Sequence, residues 1–144
     1  MSHTTTVKAD IRSATAIKAA VAELKNQGVN VVLKTNVQPR MYYENQHPEK
    51  SAFVLHFPNS RYDVGLDRQA NGTYALAFDA WGGDIAKQIG DTRCKDKAMA
   101  PVAKFVQSYT KHAAIQAAQA KGYIVSGSSV NPKTGEVNLT INVN

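Results

Sequence analysis

The chain has 144 residues, a single cysteine, a formal net charge of +6 and a pI near 9.5, with 43% hydrophobic and 19% charged residues. A chain of this length buries roughly 70% of the surface its unfolded form exposes, so one domain with one core is expected and neither a metal nor a disulfide is needed to hold it. The ordinary charge content excludes a disordered, tail-like protein.

The polar opening MSHTTTVKAD has no apolar run, so neither a secretory signal nor a membrane span is expected. Cys94, set among Arg93, Lys95 and Lys97, cannot pair internally. It reads as an incidental surface thiol in a reducing, cytoplasmic compartment. The positive charge fits nucleic acid, an anionic membrane or an acidic protein patch equally well, because no long run of like charges singles one out.

In chain order, residues 4–11 alternate weakly around Val7 and predict a first strand. Ser13 or Thr15 caps a helix in which Ile17, Val21 and Leu24 keep helical spacing, and Gly28 ends it. The β-branched run 29–37 predicts a second strand, stopped by Pro39. Residues 40–51 are ambiguous: Met41, Tyr42 and Tyr43 suit a strand, whereas Asn45, His47 and Pro48 suit a loop. A third strand, 52–57, runs into the turn Pro58-Asn59-Ser60.

The alternating runs 62–67 and 73–79 flank Asn71-Gly72 and predict a central antiparallel hairpin. Their faces agree only with a three-residue loop, Ala70-Asn71-Gly72, with Gly72 left-handed, a register that sets Asp63 across from Asp79. Val64, Leu66, Tyr74, Leu76 and Phe78 then face the core, and Asp63, Asp67 and Asp79 face outward. After Trp81 and Gly82-Gly83 comes a polar, mobile interval with a short helical turn at 85–89. A second long helix, 98–121, carries the stripe Val102, Phe105, Val106, Tyr109, Ala113, Ala117 and Ala120. Strands at 123–128 and 137–143 close the chain around a turn at 131–135. The order β-α-β-β-β-β-α-β-β predicts a single α+β domain, a mainly antiparallel sheet with two amphipathic helices packed on one face.

The opening MSHTTTVKADI, the central YDVGLDRQANGTYALAFDAWG and the late QSYTKHAAIQAAQAKGY together resemble the family called hypothetical chloroplast reading frame thirty-five. The likeness spans most of the chain. It rests on Ser2, His3, Val7 and Lys8, on Tyr62, Asp63, Val64 and Gly65, on Gly72, Thr73, Tyr74, Asp79, Trp81 and Gly82, and on Tyr109, Gly122 and Tyr123. Members of that plastid, cyanobacterial and phage family carry no assigned reaction, and their genes often lie near one for an AAA-type ATPase. The resemblance therefore implies an accessory or adaptor role beside such an ATPase. The basic residues between Arg93 and Lys97 depart from the family pattern.

Asp63 and Asp79, if they face each other, are a carboxylate pair suited to acid–base work or a cation, although aspartates on an exposed strand face are commonplace. His3 has the spacing of an amino-terminal copper or nickel clamp, but removal of Met1 before Ser2 would spoil it, so no metal is expected. His47, His56 and His112 show no ligand spacing, and no phosphate-cradling loop or nucleophile motif is present, so no enzyme and no cofactor is expected. Two readings remain. The preferred one is an adaptor that presents Asp63, Asp79 and Trp81, flanked by Tyr62 and His3, to a protein partner. The alternative is a single-stranded nucleic-acid module that uses the sheet, with Arg40, Tyr42, Tyr43, Arg61 and Arg68 as contacts.

Overall fold

Ser13 opens the first helix as its residue type predicts. In the computed structural model, which describes residues 4–8 and 10–142 with side chains from residue 10 onward, its hydroxyl accepts from the Ala16 N–H at 3.1 Å. That bond satisfies one of the unpaired donors at the start of α1, Ala14–Asn26. The helix closes where the Gly28 N–H reaches the Lys25 carbonyl and the Val29 N–H reaches that of Leu24, the paired bonds that end a helix at a left-handed residue.

Five strands follow the predicted order: β1 Thr4–Lys8, β2 Val32–Val37, β3 Ser51–His56, β4 Val64–Arg68 and β5 Tyr74–Asp79. They form one antiparallel sheet in the spatial order β1-β5-β4-β3-β2, so β2 to β5 are the expected meander and β1 joins its far side. The central hairpin has the expected three-residue loop. The Gln69 N–H donates to the Thr73 carbonyl at 2.7 Å, and Gly72 takes a φ of 85°, where a side chain would be strained. Val64 lies opposite Phe78 and Leu66 opposite Leu76, which brings Asp63 level with Asp79.

Two further helices complete the domain, the short α2 Asp84–Ile89 and the long α3 Ala103–Ala120. α1 and α3 pack on the inner face of the sheet, where Ile17, Leu24, Leu55, Phe57, Leu66, Leu76, Phe78 and Phe105 are fully buried. The α+β class is therefore as predicted. The contact between the helices and the chain entry is polar and specific. The buried Tyr109 hydroxyl accepts from the backbone N–H groups of both Arg12 and Ser13, at 2.8 and 2.9 Å.

Four expectations are corrected. The closing strands, β6 Ile124–Val130 and β7 Val137–Asn142, pair only with each other and form a separate ribbon against α3. The α3 stripe is buried at Val102, Phe105, Val106 and Tyr109 but exposed at Ala117 and Ala120, because the helix outruns the sheet that would cover it. Cys94 is buried rather than a surface thiol. Its Sγ sits 3.5 Å from the Asp96 carbonyl in a cavity of ≈ 230 Å³ beside Met99, Ala103 and Val106. The backbone bonds from Asp91 N–H to Ala100 and from Lys95 N–H to Lys133 fold the segment back, so the thiol turns inward while Lys95 and Lys97 stay exposed. The interval expected to be mobile is likewise tied to the core, through the fully buried Ile85 and Ile89 of α2, one helical turn apart. No described helix is long and apolar enough to cross a membrane.

Tyr109→Phe keeps the ring but removes the acceptor for two N–H groups. It is expected to cost about 1–3 kcal/mol, read as a lower urea midpoint at unchanged slope.

Candidate functional site

The three aspartates expected to face outward do lie on the outer face of the sheet, but Asp63 and Asp79 are buried there and Asp67 is only partly exposed. Residues 38–50 cross that face, and the carboxylates hold them down. Asp63 is 3% exposed and Asp79 is 0% exposed. Asp63 accepts from the Arg40 backbone N–H at 2.9 Å and from the Arg40 guanidinium at 2.8 and 3.1 Å, and His56 Nδ1 lies 3.0 Å away. Arg40 also donates to the Phe57 carbonyl at 3.0 Å. The expectation of outward carboxylates for docking, or of a free pair around a cation, is thereby corrected. A buried carboxylate must be paired or hydrogen-bonded, and these two are satisfied by the crossing loop together with His56 and the Trp81 N–H. Gly65 lies below that loop: a Cβ there would meet Ser51 Oγ at 2.4 Å and Pro39 at 3.1 Å.

Asp79 fixes what the loop displays. One oxygen accepts from the Tyr42 N–H at 3.1 Å and the other from the Trp81 N–H at 2.9 Å, so a single buried carboxylate joins residues 39 positions apart in sequence. Above it three rings meet in the open. Tyr42, Tyr43 and Trp81 are 47%, 50% and 45% exposed. The Tyr42 ring stands edge-on to Tyr43 at 4.6 Å and to Trp81 at 6.2 Å between centroids, geometries that suit the aromatic quadrupole.

Tyr62, expected at the surface, is instead buried beneath them, 6.5 Å from Tyr42, and burial above all raises its phenol pKa. The Arg61 guanidinium lies 5.1 Å from the Tyr62 ring centre and grips Asp84 with two bonds of 2.9 and 3.0 Å. That ion pair lowers the Asp84 carboxyl. Gly82, at φ 70°, leaves room for it, since a Cβ would come within 2.8 Å of the guanidinium.

Asp67 anchors the far end of the same loop. Ser51 Oγ donates to one of its oxygens at 2.6 Å, and His47 Nε2 lies 2.7 Å from the other. His47 Nδ1 lies 2.9 Å from the Glu49 carbonyl. Both ring nitrogens thus meet acceptors, an arrangement only the imidazolium satisfies in full. Burial alone would lower the His47 pKa, but the Asp67 hydrogen bond and charge, with the backbone carbonyls, outweigh it and raise it. Serine and histidine both bind the carboxylate rather than each other, so the trio lacks the hydroxyl-to-imidazole contact of a nucleophile and its base.

The structure therefore merges most of the two expected site lists. Trp81, Tyr42 and Tyr43 form one patch, with Arg40, Arg61 and the buried Tyr62 beside or beneath it. Arg68 stands apart at the end of β4, and His3 lies outside the described residues. Phe57 and Tyr62 are buried and offer no face to a stacked base. The His47–Asp67–Ser51 network has no local sequence signal, because its carboxylate and imidazole are 20 residues apart. The shared parity of Asp63, just before β4, and Asp67 within it was the one available clue.

Fold and site together define a small α+β domain with a clamped loop and a rigid aromatic patch. Comparison with protein-family models, curated proteins and solved structures finds no match.

Asp79→Asn replaces one acceptor oxygen by an NH₂ that faces a backbone donor. It is expected to destabilise the fold by about 1–3 kcal/mol and to speed hydrogen exchange at the Tyr42 and Trp81 amides. For His47 the folded pKa lies above the unfolded value of about 6.5, so its stabilisation is complete below that pH and is lost as pH rises through the folded pKa. The urea midpoint of the native chain should fall over this window, and that fall should be absent in His47→Gln.

Proposed function

We propose that this chain is a small, non-enzymatic adaptor that docks a protein partner through Tyr42, Tyr43 and Trp81. The observation that carries the reading is the exposure of three rings whose backbones are pinned by one buried carboxylate. Tyrosine and tryptophan are enriched in binding hot spots, and a patch already ordered in the free protein loses little further entropy on association. The resemblance to the chloroplast reading frame thirty-five family supports an AAA-type ATPase as the partner.

Nucleic-acid binding is the weaker reading. The two arginines nearest the rings already hold carboxylates, Arg40 that of Asp63 and Arg61 that of Asp84, so neither guanidinium stands ready for a phosphate backbone. The stacking surface is also small, for Tyr62 and Phe57 are covered.

Trp81 is the only tryptophan, so its emission reports directly on the patch. Titration with a purified AAA-type ATPase from the same organism should shift that emission. Trp81→Ala and Tyr42→Ala, each with a native circular dichroism spectrum, should weaken capture by that ATPase at least about tenfold. Capture unchanged by both substitutions would remove the patch from the interface. Emission that responds instead to a mixed single-stranded oligonucleotide, with affinity falling steeply as salt rises, would move the conclusion to nucleic acid.

A further inference from the structure

The second end of the clamped loop holds a cavity that the aromatic patch does not use. It has a volume of ≈ 490 Å³, within the range of small-ligand sites, and its wall includes Asn36, His47, Glu49, Lys50, Asp67 and Arg68. Of the five arginines in the chain, four hold a carboxylate: Arg12 with Asp10, Arg40 with Asp63, Arg61 with Asp84 and Arg93 with Asp91. Arg68 has no acidic partner among the described residues, and neither 1–9 nor 143–144 contains an Asp or Glu to supply one. Lys50 also lacks an acidic partner among the described residues. Two cations with vacant donors therefore line one concavity.

The groups behind them favour an anion. Asp67 faces the cavity from β4, but its oxygens are taken by Ser51 and His47, and the imidazolium offsets its charge. Only Glu49 opposes. Counting His47, Lys50 and Arg68 against Asp67 and Glu49 leaves the cavity one positive charge in excess. Asn36, held in the left-handed region at φ 56°, adds an amide to the wall. A guanidinium fork matches the oxygens of a phosphate bidentately, and an ammonium beside it acts as a point charge.

From this we infer that the cavity lined by Lys50 and Arg68 binds a phosphate group, either as the free ion or as the phosphomonoester of a small molecule. A free phosphate fills only a fraction of the volume, so the remaining space accommodates the rest of an ester.

The test is thermal unfolding of the full chain with inorganic phosphate, ribose 5-phosphate or ribose, followed by calorimetric titration of whichever binds. The two phosphates should raise the melting temperature and ribose should not. Tighter binding of ribose 5-phosphate assigns the ester as the source; equal or weaker binding assigns the free ion. Arg68→Gln and Lys50→Gln, at exposed positions, should each weaken binding at least about tenfold, and Glu49→Gln should strengthen it. Arg93→Gln, elsewhere on the surface, and Trp81→Ala should leave it unchanged, which separates this site from the docking patch. Absence of any phosphate effect, equal stabilisation by ribose, or binding retained in both Arg68→Gln and Lys50→Gln would overturn the assignment.

Discussion

A single carboxylate with no contact to solvent, that of Asp79, receives one backbone N–H from each of two chain segments, and the architecture of the outer face follows from that requirement. A carboxylate buried in the fold is tolerable only if both oxygens are served, so the loop that crosses the sheet must bring Tyr42 to one side while the turn after β5 brings Trp81 to the other. Asp63 and Asp67 repeat the arrangement at two more points, with Arg40 and His56 serving the first and His47 and Ser51 the second. The absence of a side chain at Gly65 on the same face completes the device. A larger residue there would meet Ser51 and Pro39 and hold the loop away from the short aspartate arms.

The groups that look most chemical are thus turned inward, and the groups they hold are displayed. The aspartates bind protein backbone and neighbouring cations, and the side chains left exposed are the aromatic ones that they position. Both ends of the loop gain by this. Its first part presents rings in edge contact, and its last part places Lys50 in the wall of the cavity that Arg68 also lines. The positive net charge of the chain is largely composed of lysines distributed over the surface, whereas four of the five arginines are committed internally.

Much of the scaffold was legible because its signals are local. Alternation around Asn71-Gly72 gave the register of the central hairpin, including the left-handed Gly72, and Ser13 with Gly28 marked both ends of α1. Parity along the strands also grouped Asp63, Asp67 and Asp79 correctly on one face. What parity does not carry is what covers that face. The covering segment, 38–50, has neither helical nor strand periodicity, and its ties to the sheet and its edges run to residues 17 to 37 positions away. Tyr62 illustrates the same gap, since its neighbours in sequence gave no sign that Tyr42 and Arg61 would close over it. Cys94 was misplaced for a related reason: its basic neighbours suggested water, but a turn of backbone separates their side chains from the thiol.

The closing ribbon gives the molecule an uneven durability. β6 and β7 share no hydrogen bond with the five-stranded sheet, and an isolated pair of strands is scarcely stable by itself. Its tethers are the flank of α3, the bond from Lys95 to the Lys133 carbonyl and a long contact from Gln107 to Pro132. Residues 124–142 are thus held to the rest by few ties, and local opening reaches the least-tied part of a fold first. Opening of this part of the chain breaks no strand pairing of the main sheet, so the clamped loop does not depend on it.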